Sequence, residues 1–275
     1  MSGFLDEMAR GSAERVACAK RLEPTQALES RARETPAAPP LRLSNGGFDV
    51  IAEIKLRSPA AGALAGARDP WPLRAAAYAR SGAAAVSVLT EPTRFDGSLD
   101  HLREASRVLA PFGVPAMRKD FLVDPYQVIE ARAAGAGGVL IILRMLSRSQ
   151  SLELLDCSAA HGLFVLLEAF DEADLDAAVD LLDQRRFAAA AILVGVNCRD
   201  LQTLQVVPTR FGALAPHLPH GWPAVAESGV ATAADARAMQ DLGYRLALIG
   251  TALMAESDPG ALLHDILGAT RTRPG

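Results

Sequence analysis

Short apolar runs alternate with longer, alanine-rich amphipathic segments along the chain from Phe48 onward. Eight runs recur at spacings of roughly 20 to 35 residues, separated by polar or glycine-containing turns, as in successive strand–helix units. The runs are continuously apolar rather than alternating, which is typical of parallel strands covered on both faces. The predicted strands are Asp49–Lys55, Ala84–Thr90, Pro115–Lys119, Gly138–Leu143, Phe164–Glu168, Ala191–Asn197, Ala224–Ser228 and Leu246–Gly250. Eight such units, without a glycine-rich dinucleotide fingerprint, favour a closed (β/α)8 TIM barrel over an open doubly wound sheet.

The first 45 residues do not follow this pattern. Apolar residues recur at helical spacing within Phe4–Lys20, and a proline-rich break follows over Pro36–Pro40, which predicts one helix ahead of the barrel. We therefore expect an N-terminal helical extension over residues 1–45 and a barrel catalytic domain over residues 46–270. The extension is either a flexible arm or a helix that packs on the barrel and helps to cover its mouth.

Composition and charge narrow the classes of function. The chain has 275 residues, half of them apolar and 22% charged, which is ordinary for a globular protein. A net charge of −4 argues against a nucleic-acid partner. The longest strongly apolar stretch, Val139–Leu143, is far too short to cross a bilayer, and no signal peptide is recognisable. We expect a cytoplasmic protein without a membrane partner.

Cysteine and histidine spacing gives no sign of a metal site. The three cysteines lack any C-x-x-C spacing, and the five histidines form no H-E-x-x-H pattern. His217 and His220 lie in a proline-rich stretch, where solvated loop residues are expected rather than ligands. The sequence therefore predicts no bound metal.

Polar residues occur repeatedly where the predicted strands end, which is where barrel enzymes place their chemistry. A packed core does not absorb many unpaired charges, because burying each one costs several kcal/mol. These residues either pair as a structural network or line a polar active site, and we favour the second interpretation. They are Glu53, Lys55, Lys119, Glu168, Asn197, Glu227 and Ser228.

The positions of the lysines support the interpretation as a polar active site. Only three of the 28 basic residues are lysines, namely Lys20, Lys55 and Lys119, and two of them stand at predicted strand ends. Arginine keeps its proton in practice, whereas a lysine can lose its proton and its pKa falls when it is buried. The placement of Lys55 and Lys119 therefore predicts proton transfer.

Glycines beside hydroxyl residues suggest a phosphate site. Ser228–Gly229 follows the seventh predicted strand, and Gly250–Thr251 follows the eighth. Loops at these two positions of a barrel often bind phosphate through backbone N–H groups, and glycine lets the backbone come close. Arg57 and Arg199 are either further anion ligands or surface residues. We expect a phosphorylated small-molecule substrate.

Six motifs, in this order, resemble the indole-3-glycerol-phosphate synthase family over about residues 48 to 255. They are Ile51–Pro59, Leu89–Glu91 leading to Phe95–Ser98, Arg118–Phe121, Gly195–Leu201, Ala226–Gly229 and Leu248–Gly250. The resemblance implies a metal-free and cofactor-free carboxy-lyase of tryptophan biosynthesis. That family closes the pyrrole ring of 1-(2-carboxyphenylamino)-1-deoxyribulose 5-phosphate, losing carbon dioxide and water, to give indole-3-glycerol phosphate.

The resemblance also implies roles for individual residues. Lys119 is expected to be the general acid on the substrate ketone, with Glu53 and Glu168 in proton transfer. Lys55 is expected to serve dehydration or to hold the substrate. The expected catalytic set is Glu53, Lys55, Lys119, Glu168, Asn197 and Ser228.

Two further sets follow from the same resemblance. Residues expected to bind the substrate are Ser58, Pro59, Phe95, Phe121, Leu140, Arg199, Glu227 and Leu248. Residues expected to bind its phosphate are Gly229, Gly250 and Thr251. For Leu140 and Leu248, packing in the core is the alternative explanation.

Two departures from the family pattern leave other functions open. Ala60–Gly62 follows the Ser-Pro pair, and Cys198 stands between Asn197 and Arg199. The alternatives are a specialised paralogue that acts on a modified anthranilate-derived substrate in a secondary pathway, a catalytically silent barrel that acts as a binding partner, and another phosphate-binding barrel enzyme. We expect a monomer or a weak homodimer.

Overall fold

Eight of the ten strands in the described part of the chain close into one parallel barrel. The computed structural model describes residues 3–58, 62–63, 70–183, 192–200 and 203–271. The strands are β1 (Asp49–Ile54), β2 (Arg57–Ser58), β3 (Gly62–Ala63), β4 (Ala85–Leu89), β5 (Ala116–Lys119), β6 (Gly138–Ile142), β7 (Phe164–Ala169), β8 (Ile192–Asn197), β9 (Ala224–Glu227) and β10 (Leu246–Ile249). The barrel runs in the order β1-β10-β9-β8-β7-β6-β5-β4, and β2 and β3 form a separate antiparallel pair.

Each predicted barrel strand is present, and the predicted ends differ from the observed ones by at most one residue. Every residue of β1, β4, β6, β7, β8, β9 and β10 is buried, which explains why these strands read as continuous apolar runs. The predicted (β/α)8 fold is confirmed.

Helices cover the outside of the barrel, and two of them precede its first strand along the chain. They are α1 (Phe4–Leu22), α2 (Thr25–Glu34), α3 (Trp71–Arg80), α4 (Pro92–Phe95), α5 (Leu99–Leu109), α6 (Pro125–Ala133), α7 (Arg148–Ala160), α8 (Glu172–Asp183), α9 (Thr209–Leu214), α10 (Ala233–Asp241), α11 (Thr251–Ala255) and α12 (Pro259–Arg271). Among the residues described, none of these helices is both long and apolar enough to span a membrane.

Strand alternation divides the core into two layers. Val50 and Ala52 of β1 point outward and pack in the large cluster beneath the helices. Ile51 points inward and joins Met117, Leu140 and other interior residues in a second cluster. Position 53 shares the inward face with position 51, so the first strand carries its glutamate into the barrel.

Helix α1 packs against the mouth of the barrel. Met8 of α1 is buried in the interior cluster, and Phe4 and Leu5 pack against that cluster at its edge. Of the two sequence interpretations, the structure therefore favours the packed helix over the flexible arm.

Candidate active site

A cavity of about 450 Å³ opens at the C-terminal ends of the barrel strands. It gathers fifteen of the predicted site residues, and each of the eight barrel strands, or the segment that follows it, contributes at least one. They are Glu53, Lys55, Phe95, Lys119, Phe121, Leu140, Glu168, Asn197, Arg199, Glu227, Ser228, Gly229, Leu248, Gly250 and Thr251. Pro59 lies outside the described residues, and Ser58 is described only as a backbone position of β2.

Glu53 lies between the two lysines. Its Oε1 atom is 2.9 Å from Lys55 Nζ, and its Oε2 atom is 3.3 Å from Lys119 Nζ. The Glu53 residue is only 2% exposed. Lys119, which is distant along the chain, thus joins Glu53 and Lys55 in one ion cluster, as the polar strand ends predicted.

The charges in this cluster set each other's protonation. Burial alone would raise the pKa of Glu53, but Lys119 and Lys55 lower it to about 2. Burial alone would lower the pKa of Lys119, but Glu53, Glu168 and Glu227 raise it above its ordinary value. The net shift is therefore opposite to the lowered lysine pKa expected from burial, because three carboxyl groups face the ammonium.

A chain of hydrogen bonds orients the neighbouring glutamate. Asn197 Nδ2 donates to Glu168 Oε1, while Asn197 Oδ1 accepts from Ser228 Oγ and from the Arg199 N–H, both at 3.0 Å. Burial raises the pKa of Glu168 despite the opposing charge of Lys119. This carboxyl group is therefore suited to take up and release a proton.

Glu227 is the carboxyl group that the surroundings leave unpaired. It is 1% exposed, and within the described part of the chain neither carboxyl oxygen has a hydrogen-bond partner. Burial and the neighbouring Glu168 raise its pKa well above the usual range, which favours the protonated form. Gly195 makes room for it, because a Cβ atom there would overlap Glu227 Oε1.

An apolar wall lies on the side of β5 to β7. The Phe121 ring contacts the rings of Phe4, at 5.8 Å between centroids, and Phe95, at 6.1 Å. Phe170 extends the wall, with the Arg144 guanidinium over its ring at 4.6 Å. Such a surface suits one face of an aromatic ring.

Three residues of this wall were not predicted from the sequence. Phe4 and Leu5 were expected in an extension that was either a flexible arm or a helix over the mouth, and the structure brings both into the cavity lining. Phe170 also lines the cavity, and it stands two residues after Glu168. Strand alternation could have identified Phe170, whereas the two α1 residues needed the tertiary fold.

Two glycine-containing connections lie on the opposite side, after β9 and β10. Ser228 and Gly229 have φ angles of 67° and 78°, so the chain bends sharply there. Gly250 precedes α11, and a Cβ atom at this position would overlap Glu53 Oε1. Glycine at position 250 is therefore required by the buried Glu53 carboxylate. From the sequence, glycine was expected there only because it lets the backbone approach a phosphate.

Arg57 and Cys198, which were singled out from the sequence, are not among the residues that line the cavity. Arg57 is half-exposed and lies 3.6 Å from Asp96, and it is not part of the cavity wall. Cys198 is buried, and its thiol donates to the carbonyl of Ser228 at 3.3 Å. Among the described residues, no group of three histidine, cysteine or acidic side chains is arranged to hold a metal ion.

The chain is similar in sequence to indole-3-glycerol phosphate synthases along most of its length. The model of the family with that description matches residues 5–266. The indole-3-glycerol phosphate synthase of Mycobacterium tuberculosis is 42% identical over 245 residues, which are 88% of this chain and 86% of that protein. The one from Mycolicibacterium smegmatis is 39% identical over 269 residues, or 96% of this chain and 94% of that protein.

Solved structures of more distant proteins share the fold. The 3-hexulose-6-phosphate synthase of Salmonella typhimurium superposes with a TM-score of 0.62 at 12% identity, covering 81% of this chain and 98% of that one. Thiamine phosphate pyrophosphorylase from Pyrococcus furiosus gives 0.57 at 12% identity, covering 82% and 96%. At these identities the likeness shows the barrel fold alone.

Proposed function

The chain belongs to the indole-3-glycerol phosphate synthase family, and from this we propose how its cavity performs the family's reaction. The enzyme is a decarboxylating lyase of tryptophan biosynthesis. It converts 1-(2-carboxyphenylamino)-1-deoxyribulose 5-phosphate into indole-3-glycerol phosphate, carbon dioxide and water. The observation that carries the assignment of roles is the position of Glu53 between Lys55 and Lys119 in a buried cavity.

The substrate phosphate binds beside the turns at Gly229 and Gly250, with Thr251 as a further ligand. The anthranilate ring then lies against the apolar wall at Phe121 and Leu140. Support comes from the strand order, because β9 and β10 face β5 and β6 across the closed barrel. In this pose the ketone lies between the two ends of the substrate, within reach of the lysines.

Lys119 acts as the general acid in ring closure. The ring carbon that bears the carboxylate attacks the ketone carbon, a carbon–carbon bond forms, and the ketone oxygen takes a proton from the Lys119 ammonium. The raised pKa keeps that proton on the lysine until the far more basic alkoxide develops. Glu53 holds the ammonium in place and stays ionised throughout the neutral range.

Decarboxylation and dehydration complete the reaction. The carboxylate leaves as carbon dioxide, and its bonding electrons return to the ring. The new hydroxyl then leaves as water after it receives a proton, and the adjacent CH₂ group loses one. Two protons are taken up and one is released, which balances the loss of the carboxylate charge.

We assign the base in the last step to Glu168 rather than to Glu53. A carboxylate with a pKa of about 2 accepts protons poorly near pH 7, whereas Glu168 has a raised pKa. Lys55 is the acid nearest the leaving hydroxyl in this scheme. Asn197 and Ser228 orient Glu168, and neutral Glu227 donates a hydrogen bond to the substrate.

We also propose that the enzyme works in the cytoplasm as a monomer or a weak homodimer. Support for the oligomeric state comes from the cavity, since residues of one chain supply the full set of proposed catalytic groups.

The direct test is turnover. Purified protein is mixed with the carboxyphenylamino-deoxyribulose phosphate, and indole fluorescence is followed together with release of carbon dioxide. We expect one carbon dioxide per indole product. A correctly folded protein that forms no indole would contradict the assignment and favour a silent barrel.

A further inference from the structure

Helix α1 contacts the segment of chain that leaves β5. Arg15 Nη2 lies 2.7 Å from Asp120 Oδ1, and Ser12 Oγ donates a hydrogen bond to the carbonyl of Phe121. Asp120 and Phe121 directly follow Lys119 in the sequence. Two polar groups of α1 therefore hold the two residues next to the proposed general acid.

The Asp120 carboxylate is the centre of this contact. It is 2% exposed and also accepts hydrogen bonds from the hydroxyl of Thr90 at 2.8 Å, the guanidinium of Arg118 at 3.1 Å and the N–H of Phe121 at 2.8 Å. Burial alone would raise its pKa, but Arg118 and Arg15 hold the pKa below its usual range, so Asp120 is charged. Three of these donors lie in β5 or within two residues of the ends of β4 and β5. The fourth, Arg15, belongs to α1, which lies outside the barrel.

Further hydrogen bonds connect the Asp120 contact to α6 and back to α1. Arg118 donates to the carbonyl of Gln127 at 2.7 Å and lies 3.0 Å from Glu130. Gln127 Nε2 in turn donates to Ser12 Oγ at 2.8 Å. Because these groups are buried and mutually hydrogen-bonded, the network fixes α1, the end of β5 and α6 relative to one another.

We propose that Arg15 is a positioning residue for the ring-closing reaction. By holding Asp120 it fixes the direction in which the chain leaves β5, and thereby the location of Lys119 Nζ, 3.3 Å from Glu53. A displacement of about 1 Å at a reacting group costs as much as ~10²-fold in rate. The proposal depends on the proposed role of Lys119.

Kinetics of matched variants of α1 test this proposal. Arg15→Gln removes the charge that meets Asp120, and Arg15→Lys restores a cation there. Lys20→Gln is the control, because Lys20 pairs with Asp124 at 2.7 Å from the same helix but on an exposed site. We expect kcat to fall about 10- to 100-fold in Arg15→Gln with KM within about threefold of wild type. Arg15→Lys should recover most of the rate, and Lys20→Gln should match wild type.

A measurement without substrate separates this proposal from the proposed function. The chain has only three lysines, so ¹⁵N-lysine labelling gives three side-chain ammonium signals, and the Lys20→Gln and Lys119→Arg variants identify those of Lys20 and Lys119. We expect the Lys119 signal to shift in Arg15→Gln and to return towards the wild-type position in Arg15→Lys. A wild-type protein without turnover but with this pattern of shifts would contradict the proposed function, while still showing that Arg15 positions Lys119.

Lower thermal stability of Arg15→Gln is expected because the variant leaves the buried Asp120 carboxylate without its Arg15 partner, so Tm does not decide the question. All rates are therefore measured well below Tm. If Arg15→Gln does not fold, Ser12→Ala replaces it, with the same expected direction in kcat and in the Lys119 signal. A kcat within twofold of wild type, a loss confined to KM, or an unchanged Lys119 signal in the folded variant would overturn the proposal.

Discussion

At the scale of single residues, the chemistry depends on which charged groups face each other inside the barrel. The sequence predicted that lysines and glutamates meet there, because their strand positions converge. It did not predict that three carboxyl groups surround Lys119 and raise its pKa, since that requires side-chain positions from β1, β7 and β9. The raised pKa of Glu227 was equally unpredictable from the sequence, because it depends on what lies around that carboxyl group.

Substitution of Lys119 by arginine tests the general acid. The guanidinium keeps a positive charge near Glu53, but it is a poor proton donor near neutral pH. We expect kcat of Lys119→Arg to fall by about 10²-fold or more, in the range that a placed general acid contributes. Steady-state kinetics with Lys20→Arg as the exposed control measures this, and a kcat within tenfold of wild type would remove Lys119 from the role.

Replacement of Glu227 by glutamine tests its neutral state. The pKa of Glu227 in the folded protein lies above its unfolded value. The free energy of unfolding of the wild type therefore falls as pH rises from the unfolded pKa through the folded one. Glutamine does not titrate, so Glu227→Gln should gain stability relative to wild type between pH 5 and pH 8.

Urea unfolding at these two pH values measures the difference, with the exposed Glu153→Gln as the control. If the stability of Glu227→Gln relative to wild type were the same at pH 5 and pH 8, Glu227 would not be a neutral buried acid.

At the scale of elements, the strands were predictable because parallel strands buried on both faces leave continuous apolar runs in the sequence. The position of α1 over the mouth was not decided by its pattern, because helical spacing gives an apolar face but not the surface that the face meets. The conformation of the segment between β4 and α5 was likewise not decided by its sequence pattern. Its Phe95 was expected to bind substrate, and the structure shows how Gly97 allows that loop to fold back on β4.

Gly97 lies against the backbone of β4. A Cβ atom at this position would overlap the carbonyl group of Leu89, and backbone cannot move aside as a flexible side chain can. We expect Gly97→Ala to lower the free energy of unfolding by about 1–3 kcal/mol and to raise KM as Phe95 is displaced. Gly268→Ala in α12, where nothing lies within 4 Å of the added Cβ atom, should instead gain about 0.5–1 kcal/mol.

Thermal or urea unfolding of the two glycine variants provides the comparison. Equal stability of Gly97→Ala and wild type would mean that the loop packs differently from the structure described here.

At the scale of the whole molecule, the closed strand order determines where the two ends of a substrate lie. The sequence supplied the number of strands and the residues at their ends, which was sufficient to predict one shared cavity. The apolar wall and the glycine turns face each other across that cavity, with Glu53 and its two lysines between them. The account as a whole depends on this arrangement, since ring closure requires the ketone, the ring carbon and Lys119 to meet.

A crystal structure with bound indole-3-glycerol phosphate tests that arrangement most directly. The account predicts the phosphate within hydrogen-bonding distance of the backbone at Gly229 and Gly250, and the indole ring against Phe121. Lys119 Nζ should lie beside the carbon that was the ketone. A product molecule bound with its phosphate at the apolar wall, or outside this cavity, would contradict the account.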